Sequence, residues 1–218
     1  MANIFLIGAT GGVGSRLIPK LIERGHILTG LHRKPEQADA LRAAGVTPAP
    51  GDIMDLSTDE LEMMLQGSDV AVFSAGAAGS GWDRTTAIDG DGPIKLIDAA
   101  RKTGVKRIYL VSVFPDAGRK RDTSEGFEHY MEEKKRADAA LAESGLEYVI
   151  IRPGTLQTEE GDGSVRAGHA IPYGNVARGN VAAFIAELID SPDISREIVE
   201  LTDGDVPAGD AVAALRRS

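Results

Sequence analysis

Residues 3–14 read Asn-Ile-Phe-Leu-Ile-Gly-Ala-Thr-Gly-Gly-Val-Gly, and this stretch decides the fold. A short apolar run over Asn3–Ile7 predicts a buried strand. Of the glycines that follow, Gly8 permits a tight turn, Gly11 lets a pyrophosphate approach the backbone, and Gly14 lets helix and strand pack closely. The next helix offers free N–H groups at its N-terminus to phosphates. Unless the turn binds no ligand, we expect a dinucleotide to contact Gly8, Thr10, Gly11, Gly12, Val13 and Gly14.

The rest of the chain alternates between predicted strands and predicted helices. Strands are predicted at Asn3–Ile7, His26–His32, Val46–Pro48, Asp69–Phe73, Arg107–Ser112, Glu147–Ile151 and Glu197–Leu201, and helices at Val13–Glu23, Pro35–Ala44, Ser57–Leu65, Ile94–Lys102, Ser124–Glu143 and Val181–Ile189. This alternation is typical of parallel strands joined by helical crossovers. The sequence therefore predicts an α/β fold, a Rossmann-type doubly wound parallel sheet in three α/β/α layers with a small C-terminal substrate-side region.

Two glycine-rich segments, Ala75–Gly92 and Glu159–Asn180, are predicted to be loops. Both follow predicted strands. In an open parallel sheet, ligands bind in the crevice beyond the carboxyl ends of the strands. We therefore expect both segments to lie beside the binding site.

The composition is that of an ordinary globular protein. With 218 residues, 42% apolar and 26% charged, the chain suits one NAD(P)-binding domain over residues 1–218. Its net charge of −9 disfavours a broad surface for nucleic acid. The sequence has no cysteine for disulfides or metal sites, and its four histidines show no metal-ligand spacing, so no metal is expected.

The N-terminus bears on the compartment. It lacks the basic flank and cleavage site of a signal peptide and reads directly as a first strand. No apolar run approaches the roughly 20 residues that span a bilayer. A cytoplasmic location without membrane contact is therefore expected by elimination.

The second predicted strand ends in Leu31-His32-Arg33-Lys34, which bears on the choice of cofactor. An NAD site places an acidic side chain here to accept from the ribose 2′-hydroxyl. No carboxylate stands at this position, and Arg33 and Lys34 can instead hold a 2′-phosphate through charge-assisted hydrogen bonds. We therefore expect NADP(H) to be favoured over NAD(H). The alternative is that both cations are solvated residues at the start of a helix.

Tyr130 and Lys134 are four residues apart in a predicted helix, so their side chains project from one face. A phenol with a pKa of about 10 is a poor acid or base near neutral pH, and an adjacent ammonium group lowers that pKa. We therefore expect Lys134 to lower the pKa of Tyr130 and prepare it for proton transfer. The alternatives are a solvated Tyr–Lys pair and, as proton donor, the neighbouring His129.

Together these motifs resemble those of the atypical short-chain dehydrogenases/reductases, an NAD(P)H-binding group that includes NmrA-like proteins and flavin/biliverdin-type reductases. The resemblance covers nearly the whole chain. The G-x-x-G-x-x-G turn, Ser112, the Tyr130/Lys134 pair and the Ile-Ile-Arg-Pro-Gly sequence at 150–154 follow one another in the family's order. The Arg-Gly-Asn-Val-Ala sequence at 178–182 looks like the start of the family's late helix, with Asn180 as the N-cap residue where Asp is usual.

The resemblance implies a role for each motif. The implied catalytic set comprises the proton donor Tyr130, the hydroxyl of Ser112 on the same carbonyl oxygen, and Lys134, which also binds the nicotinamide ribose. The implied cofactor contacts beyond the first turn are Asp52 and Ile53 at the adenine, Ser74, Ala75 and Gly76 beneath a ribose, and Pro153 and Gly154 near the carboxamide.

Three functions agree with this set of residues. In the first, an NADP(H)-dependent oxidoreductase transfers a hydride to a small carbonyl or quinone-like acceptor. In the second, the chain is a redox-sensing or regulatory protein that binds the dinucleotide without turnover. The third is a compact nucleotide-sugar epimerase or dehydratase, disfavoured because about 65 residues follow Pro153, too few for those enzymes' larger C-terminal domain. An unrelated ligand in the same crevice is the remaining alternative.

The substrate is a small molecule that the sequence does not identify. Its specificity is expected to come from the segments Ala77–Asp91, Val113–Phe127 and Thr155–Gly174. Four aromatic residues are candidates for an apolar pocket, or equally for the core or the surface: Trp82, Phe114, Phe127 and Tyr173. A homo-oligomer or a protein partner is left open.

Overall fold

The computed structural model describes residues 1–117 and 122–216, and a mainly parallel sheet lies at its centre. Its strands are β1 (Asn3–Ile7), β2 (Ile27–His32), β3 (Thr47–Pro50), β4 (Val70–Phe73), β5 (Arg107–Val111), β6 (Glu147–Pro153), β7 (Thr155–Gln157), β8 (Ser164–Gly168), β9 (Asn175–Ala177), β10 (Glu197–Asp203) and β11 (Val206–Pro207). In these described residues, nine strands form one sheet in the order β11-β8-β10-β6-β5-β4-β1-β2-β3, and β7 pairs separately with β9. The strands from β10 to β3 are parallel, whereas β8 and β11 run antiparallel to their neighbours.

Helices cover both faces of this sheet. They are α1 (Gly14–Glu23), α2 (Pro35–Ala43), α3 (Thr58–Leu65), α4 (Trp82–Thr85), α5 (Gly92–Thr103), α6 (Glu125–Ala142), α7 (Arg178–Ile189) and α8 (Ala208–Ala213), with a π-helical segment, Thr86–Asp91, between α4 and α5. Buried side chains of α1, α2, α7 and α8 share one apolar cluster with the sheet, and those of α3, α5 and α6 share the other. Burial of each large apolar side chain stabilises the fold by roughly 1.5–3 kcal/mol. The three-layer Rossmann-type architecture predicted from the sequence is confirmed.

The seven predicted strands are all present, with ends that differ by no more than two residues. The two predicted loops are wrong in part. Ala75–Gly92 contains α4 and the π-helical segment, and contacts with α6 such as the stack of Trp82 on His129 stabilise this turn-rich sequence as helix. Glu159–Asn180 contains β8 and β9. The sequence of β8 has no apolar run that would predict a strand, because Val165 is its one fully buried residue.

The late helix begins earlier than predicted. It starts at Arg178, so Asn180 lies within its first turn and is not its N-cap residue. The Asn180 side chain accepts a hydrogen bond from Gly163 N at 2.8 Å and donates one to the Asp203 carboxylate at 2.8 Å. These bonds join α7 to the loop before β8 and to the end of β10.

Over the described ranges, every helix is too short or too polar to cross a bilayer.

Candidate nicotinamide dinucleotide site

A cavity of about 1090 Å³ opens at the carboxyl ends of β1, β2, β4 and β5. Its volume lies at the upper end of the range of small-molecule and cofactor sites. The predicted site residues that line it are Gly8, Thr10, Gly11, Gly12, Val13, Arg33, Asp52, Ile53, Ser74, Ala75, Gly76, Ser112, Tyr130 and Lys134. The fold therefore brings the glycine turn and the Tyr–Lys pair into one cavity.

Four predicted cofactor contacts lie outside the cavity wall. Gly14 begins α1, and Lys34 precedes α2 and accepts a hydrogen bond from His32 through its carbonyl. Pro153 ends β6, and its carbonyl accepts from Phe114 N at 3.3 Å. Gly154 donates to the Leu201 carbonyl at 2.8 Å. These residues shape the scaffold beneath the cavity.

The backbone of the glycine turn has no room for side chains at two of its glycines. Gly8 has a φ of +92°, and a Cβ there would lie 2.6 Å from Ala75 N. A Cβ at Gly14 would lie 2.1 Å from the carbonyl oxygen of Gly8. Because the turn packs against itself and against the end of β4, only glycine fits at both positions. The result is an exposed backbone turn leading into the N-terminus of α1, which suits phosphate groups.

The end of β2 is tied to this turn by Gln37. The Gln37 carbonyl oxygen accepts from the backbone N–H groups of Arg33 at 3.1 Å and Lys34 at 3.0 Å, and its amide donates to Thr10 Oγ1 at 3.0 Å. The half-exposed Arg33 guanidinium lies 3.8 Å from Asp52. Arg33 therefore lies at the rim of the cavity, and its ion pair with Asp52 is a long one.

A buried ion pair lies beneath the Tyr130 side chain. Lys134 Nζ is 3.1 Å from Asp89 Oδ1 and donates to the Val111 carbonyl at 3.1 Å. Asp89 is fully buried, and its other oxygen accepts from Ala77 N at 3.0 Å. Asp89 belongs to the π-helical segment, a distortion found frequently at functional sites. Lys134 is therefore held by an ion pair with Asp89 and by one hydrogen bond to Val111.

Lys134 lowers the pKa of Tyr130, as predicted, but the net shift of this pKa is upward. Burial raises the pKa of the phenol, the Lys134 ammonium lowers it, and the nearby Asp89 and Asp138 raise it further, with a net rise. Burial works to lower the pKa of Lys134, but Tyr130, Asp89 and Asp138 together raise it. The prediction considered the ammonium alone, whereas the folded site also buries the phenol and places two carboxylates near it. Tyr130 is therefore protonated at neutral pH.

Ser112 lies in the cavity wall beside a second buried carboxyl group. Asp138, one turn after Lys134 on α6, pairs with Arg152 of β6 through two guanidinium contacts of 2.9 Å. Burial raises the pKa of Asp138 above its ordinary value, although Ser112, Arg152 and Lys134 act against this rise. Ser112 and Lys134 thus both act on the pKa of Asp138, while Ser112 Oγ is buried without a hydrogen-bond partner among the described residues.

Two of the four aromatic candidates line the cavity. Trp82 stacks on His129, with ring centroids 4.3 Å apart, yet remains 53% exposed. Phe127 packs against the Tyr130 ring at 6.1 Å. Phe114 is buried in the core, where Tyr173 meets its ring edge to face at 5.3 Å, and neither of these two residues lines the cavity.

Sequence reasoning missed four charged residues at or behind the cavity: Arg84, Asp89, Asp138 and Arg178. Asp138 was detectable, because it follows Lys134 by one helical turn and faces the same side. Asp89 and Arg84 lie in the segment predicted to be a loop, so no helical periodicity pointed to them. Arg178 stood in a recognised motif, but nothing in that motif indicated that its side chain reaches the glycine turn.

Comparison with known proteins shows which family the chain matches. Residues 8–192 match the model of a family described as NAD(P)H-binding. The chain is 36% identical over 215 residues to a Bacillus subtilis protein named an uncharacterized sugar epimerase, YhfK, covering 98% of this chain and 100% of that one.

Two solved structures share the fold. The oxidoreductase YlbE from Lactococcus lactis superposes with a TM-score of 0.86 at 28% identity, covering 98% of this chain and 96% of its own. The anaerobilin reductase ChuY from Escherichia coli O157:H7 superposes with a TM-score of 0.78 at 26% identity, covering 94% and 98%.

Proposed function

The chain belongs to the NAD(P)H-binding family, and we propose that it is an NADP(H)-dependent oxidoreductase that reduces a small carbonyl or quinone-like acceptor. The observation that carries the proposal is that Tyr130 and Lys134 share one cavity with the glycine turn. Reduction of a carbonyl needs a bound hydride donor and a proton donor within reach of the same oxygen. The cavity offers residues for both requirements.

We assign the cofactor to the glycine turn, because the glycines leave a space there that a Cβ atom would fill. When bound, the dinucleotide supplies the hydride through its nicotinamide. Lys134 lines the cavity and donates one hydrogen bond, to Val111, so it has ammonium protons available, and we assign one of them to the nicotinamide ribose. The Asp89 carboxylate balances the charge of the Lys134 ammonium group. Lys134 can therefore hold the ribose without adding a net charge to the site.

Tyr130 is assigned as the general acid. Burial keeps its pKa above the ordinary value, so the phenol carries its proton at neutral pH and can donate it to the oxygen that becomes an alkoxide. Ser112, in the same wall, is assigned a hydrogen bond to that oxygen. Oxidation would require the phenolate, so this arrangement favours the reductive direction near neutral pH.

The cavity wall beyond Tyr130 indicates which kind of acceptor molecule fits the site. Trp82 and Phe127 offer flat apolar surfaces to the cavity, and aromatic faces bind planar conjugated molecules well. Arg84 also lines this part, donates to Ser80 Oγ at 3.0 Å, and has no ion pair within residues 1–117 and 122–216. We therefore favour a planar, conjugated acceptor that carries an anionic group. The name of ChuY, an anaerobilin reductase, is compatible with such an acceptor.

The preference for NADP(H) is assigned to Arg33. Its guanidinium is half exposed at the rim, and the 3.8 Å separation from Asp52 leaves its donors available to a 2′-phosphate. Lys34 lies outside the cavity wall, so it is a weaker candidate for the same contact.

The decisive experiment is a titration of the purified protein with NADPH and with NADH, followed by nicotinamide fluorescence and by thermal stability, which rises with any ligand bound to the native state. We expect tighter binding of NADPH, and we expect Arg33→Ala to weaken NADPH binding about tenfold while leaving NADH unchanged. Arg42→Ala is the matched control, because it removes an exposed arginine that does not line the cavity. Equal binding of both dinucleotides would contradict the NADP(H) preference, and no binding would contradict the whole proposal.

A screen of carbonyl, quinone and conjugated anionic acceptors then separates the three functions. Consumption of NADPH supports the oxidoreductase. Tight binding without consumption, together with cofactor-dependent capture of a protein partner, would support a redox sensor. Isomerisation of a nucleotide sugar without net consumption would support the activity named for the Bacillus subtilis relative.

A further inference from the structure

Arg178, the first residue of α7, lies directly across the glycine turn. A Cβ at Gly12 would lie 2.6 Å from Arg178 Cδ and 2.8 Å from its Nε. The absence of a side chain at Gly12 therefore opens the path by which the arginine side chain crosses the turn. Arg178 also lines the cavity. A residue some 166 positions from Gly12 thus completes the phosphate end of the site.

The charge on Arg178 is not balanced by a carboxylate in the described parts of the chain, 1–117 and 122–216. Within the same described residues, its guanidinium donates one hydrogen bond, a long contact of 3.5 Å to the Leu156 carbonyl. A contact of this length is weak, so little is lost when the guanidinium takes a better acceptor. Arg178 is therefore a cation that lies at the turn and has no carboxylate partner among the described residues.

The other arginines near the dinucleotide end do not face the glycine turn without a carboxylate partner, as Arg178 does. Arg16 binds Glu160 at 2.8 Å and the carbonyls of Gly12 and Thr158 at 2.8 and 2.5 Å. Arg33 is at the rim beside Asp52. The glycine turn itself contains no lysine or arginine, and the chain carries a net charge of −9. A pyrophosphate at the turn would need a positive charge nearby, and Arg178, rather than a residue of the turn, can supply it.

We propose that Arg178 is the counter-charge of the cofactor pyrophosphate, clamping it against the glycine turn from the side of α7. A guanidinium group offers a planar fork of donors that matches phosphate oxygens in pairs. The inference rests on the proposed function, since it presumes a dinucleotide at Gly8–Gly14. It differs from the role of Arg33, because every nicotinamide dinucleotide carries the pyrophosphate and only NADP(H) carries the 2′-phosphate.

The test is the equilibrium binding of NADH and of NADPH to the full chain, measured by nicotinamide fluorescence at fixed ionic strength. Arg178→Met should raise both dissociation constants by the same factor, about 10- to 100-fold, because it removes one charged hydrogen-bonding partner from a group common to both ligands. Arg178→Lys should lose less, because it retains the charge but not the fork. Arg42→Met is the control for net charge and should change either constant less than twofold.

Each outcome decides the inference. An equal loss for both dinucleotides supports it. Unchanged binding by Arg178→Met overturns it while leaving the proposed function intact, and so does a loss confined to NADPH, which would move Arg178 to the 2′-phosphate. If the wild-type chain binds neither dinucleotide, the proposed function fails and this inference with it. Thermal melting checks folding, and Arg178→Gln takes the place of the Met variant if that variant does not fold.

Discussion

The two ends of the cavity are built in different ways. At the phosphate end, backbone atoms and missing side chains form the site: Gly8 and Gly14 leave a cradle, and the N-terminus of α1 faces it. At the proton-transfer end, side chains form the site: Lys134, Asp89 and Tyr130 share buried contacts contributed by α6 and the π-helical segment. Backbone-built sites depend on spacing along the chain, whereas side-chain-built sites depend on tertiary packing. The two ends should therefore respond differently to substitution.

The sharpest separation of the two ends is expected from Tyr130→Phe. Loss of a general acid typically lowers the rate of turnover about 10²- to 10⁴-fold. The ring still packs against Phe127, so binding of the dinucleotide should stay within about twofold. Steady-state kinetics with any active acceptor, alongside NADPH titration, measures both quantities. Full activity of the variant would show that Tyr130 is not the proton donor. His129 would not be the donor in its place, because it lies behind Trp82 and does not line the cavity.

A comparable effect at the opposite end should come from Gly14→Ala. The new Cβ would meet the Gly8 carbonyl oxygen at 2.1 Å, a backbone atom that cannot rotate away, so the turn and α1 must separate. We expect a loss of about 3 kcal/mol in the free energy of unfolding together with the loss of dinucleotide binding. Denaturant unfolding measures the first effect.

Gly126→Ala is the matched control for that change. A Cβ at Gly126 has its nearest neighbour at 4.0 Å, and the residue is in the first turn of α6. Replacing glycine by alanine in a helix without a clash should be neutral or stabilise by up to about 1 kcal/mol. Equal stability of the two variants would contradict the close packing described for Gly14.

A smaller and more specific effect is expected from Asp89→Asn. The change removes a negative charge that raises the pKa of Tyr130, so this pKa should fall. Reduction needs the protonated phenol, and its rate declines as pH rises through that pKa. The alkaline limb of the pH–rate profile should therefore move to lower pH.

Asp91→Asn separates this electrostatic effect from general damage. Asp91 follows Asp89 in the same segment but is half exposed and pairs with Arg136 on the surface of α6. Its loss should leave the alkaline limb in place. If both variants moved the profile equally, or if Asp89→Asn lowered the rate without moving it, the buried pair would not control Tyr130.

The contrast between the two ends explains what the sequence could predict. The order of strands and helices and the glycine turn were predictable, because both depend on local periodicity and on spacing within a few residues. Tyr130 and Lys134 were predictable as a pair because they share a helix face. Their electrostatics were not, because the dominant carboxylate, Asp89, comes from another element.

The antiparallel edge of the sheet was hidden for a different reason. Strands β8 and β11 lie at one edge of the sheet, where few of their side chains reach the core and their sequences contain no apolar run. Likewise, the position of Arg178 over Gly12 follows from the packing of α7 against α1, which no single-strand or single-helix pattern encodes. Contacts between distant elements, rather than propensities, set these features.

The π-helical segment has a consequence for how this site can change in evolution. Trp82 stacks on His129 before the segment, and Asp89 pairs with Lys134 within it, so both partners are on α6. Each residue in an α-helix turns the chain by about 100°. An in-frame loss of one codon between the two would rotate one contact away from α6 while keeping the other. At this segment we therefore expect a single deletion to uncouple the aromatic wall that faces the acceptor from the carboxylate that raises the pKa of Tyr130.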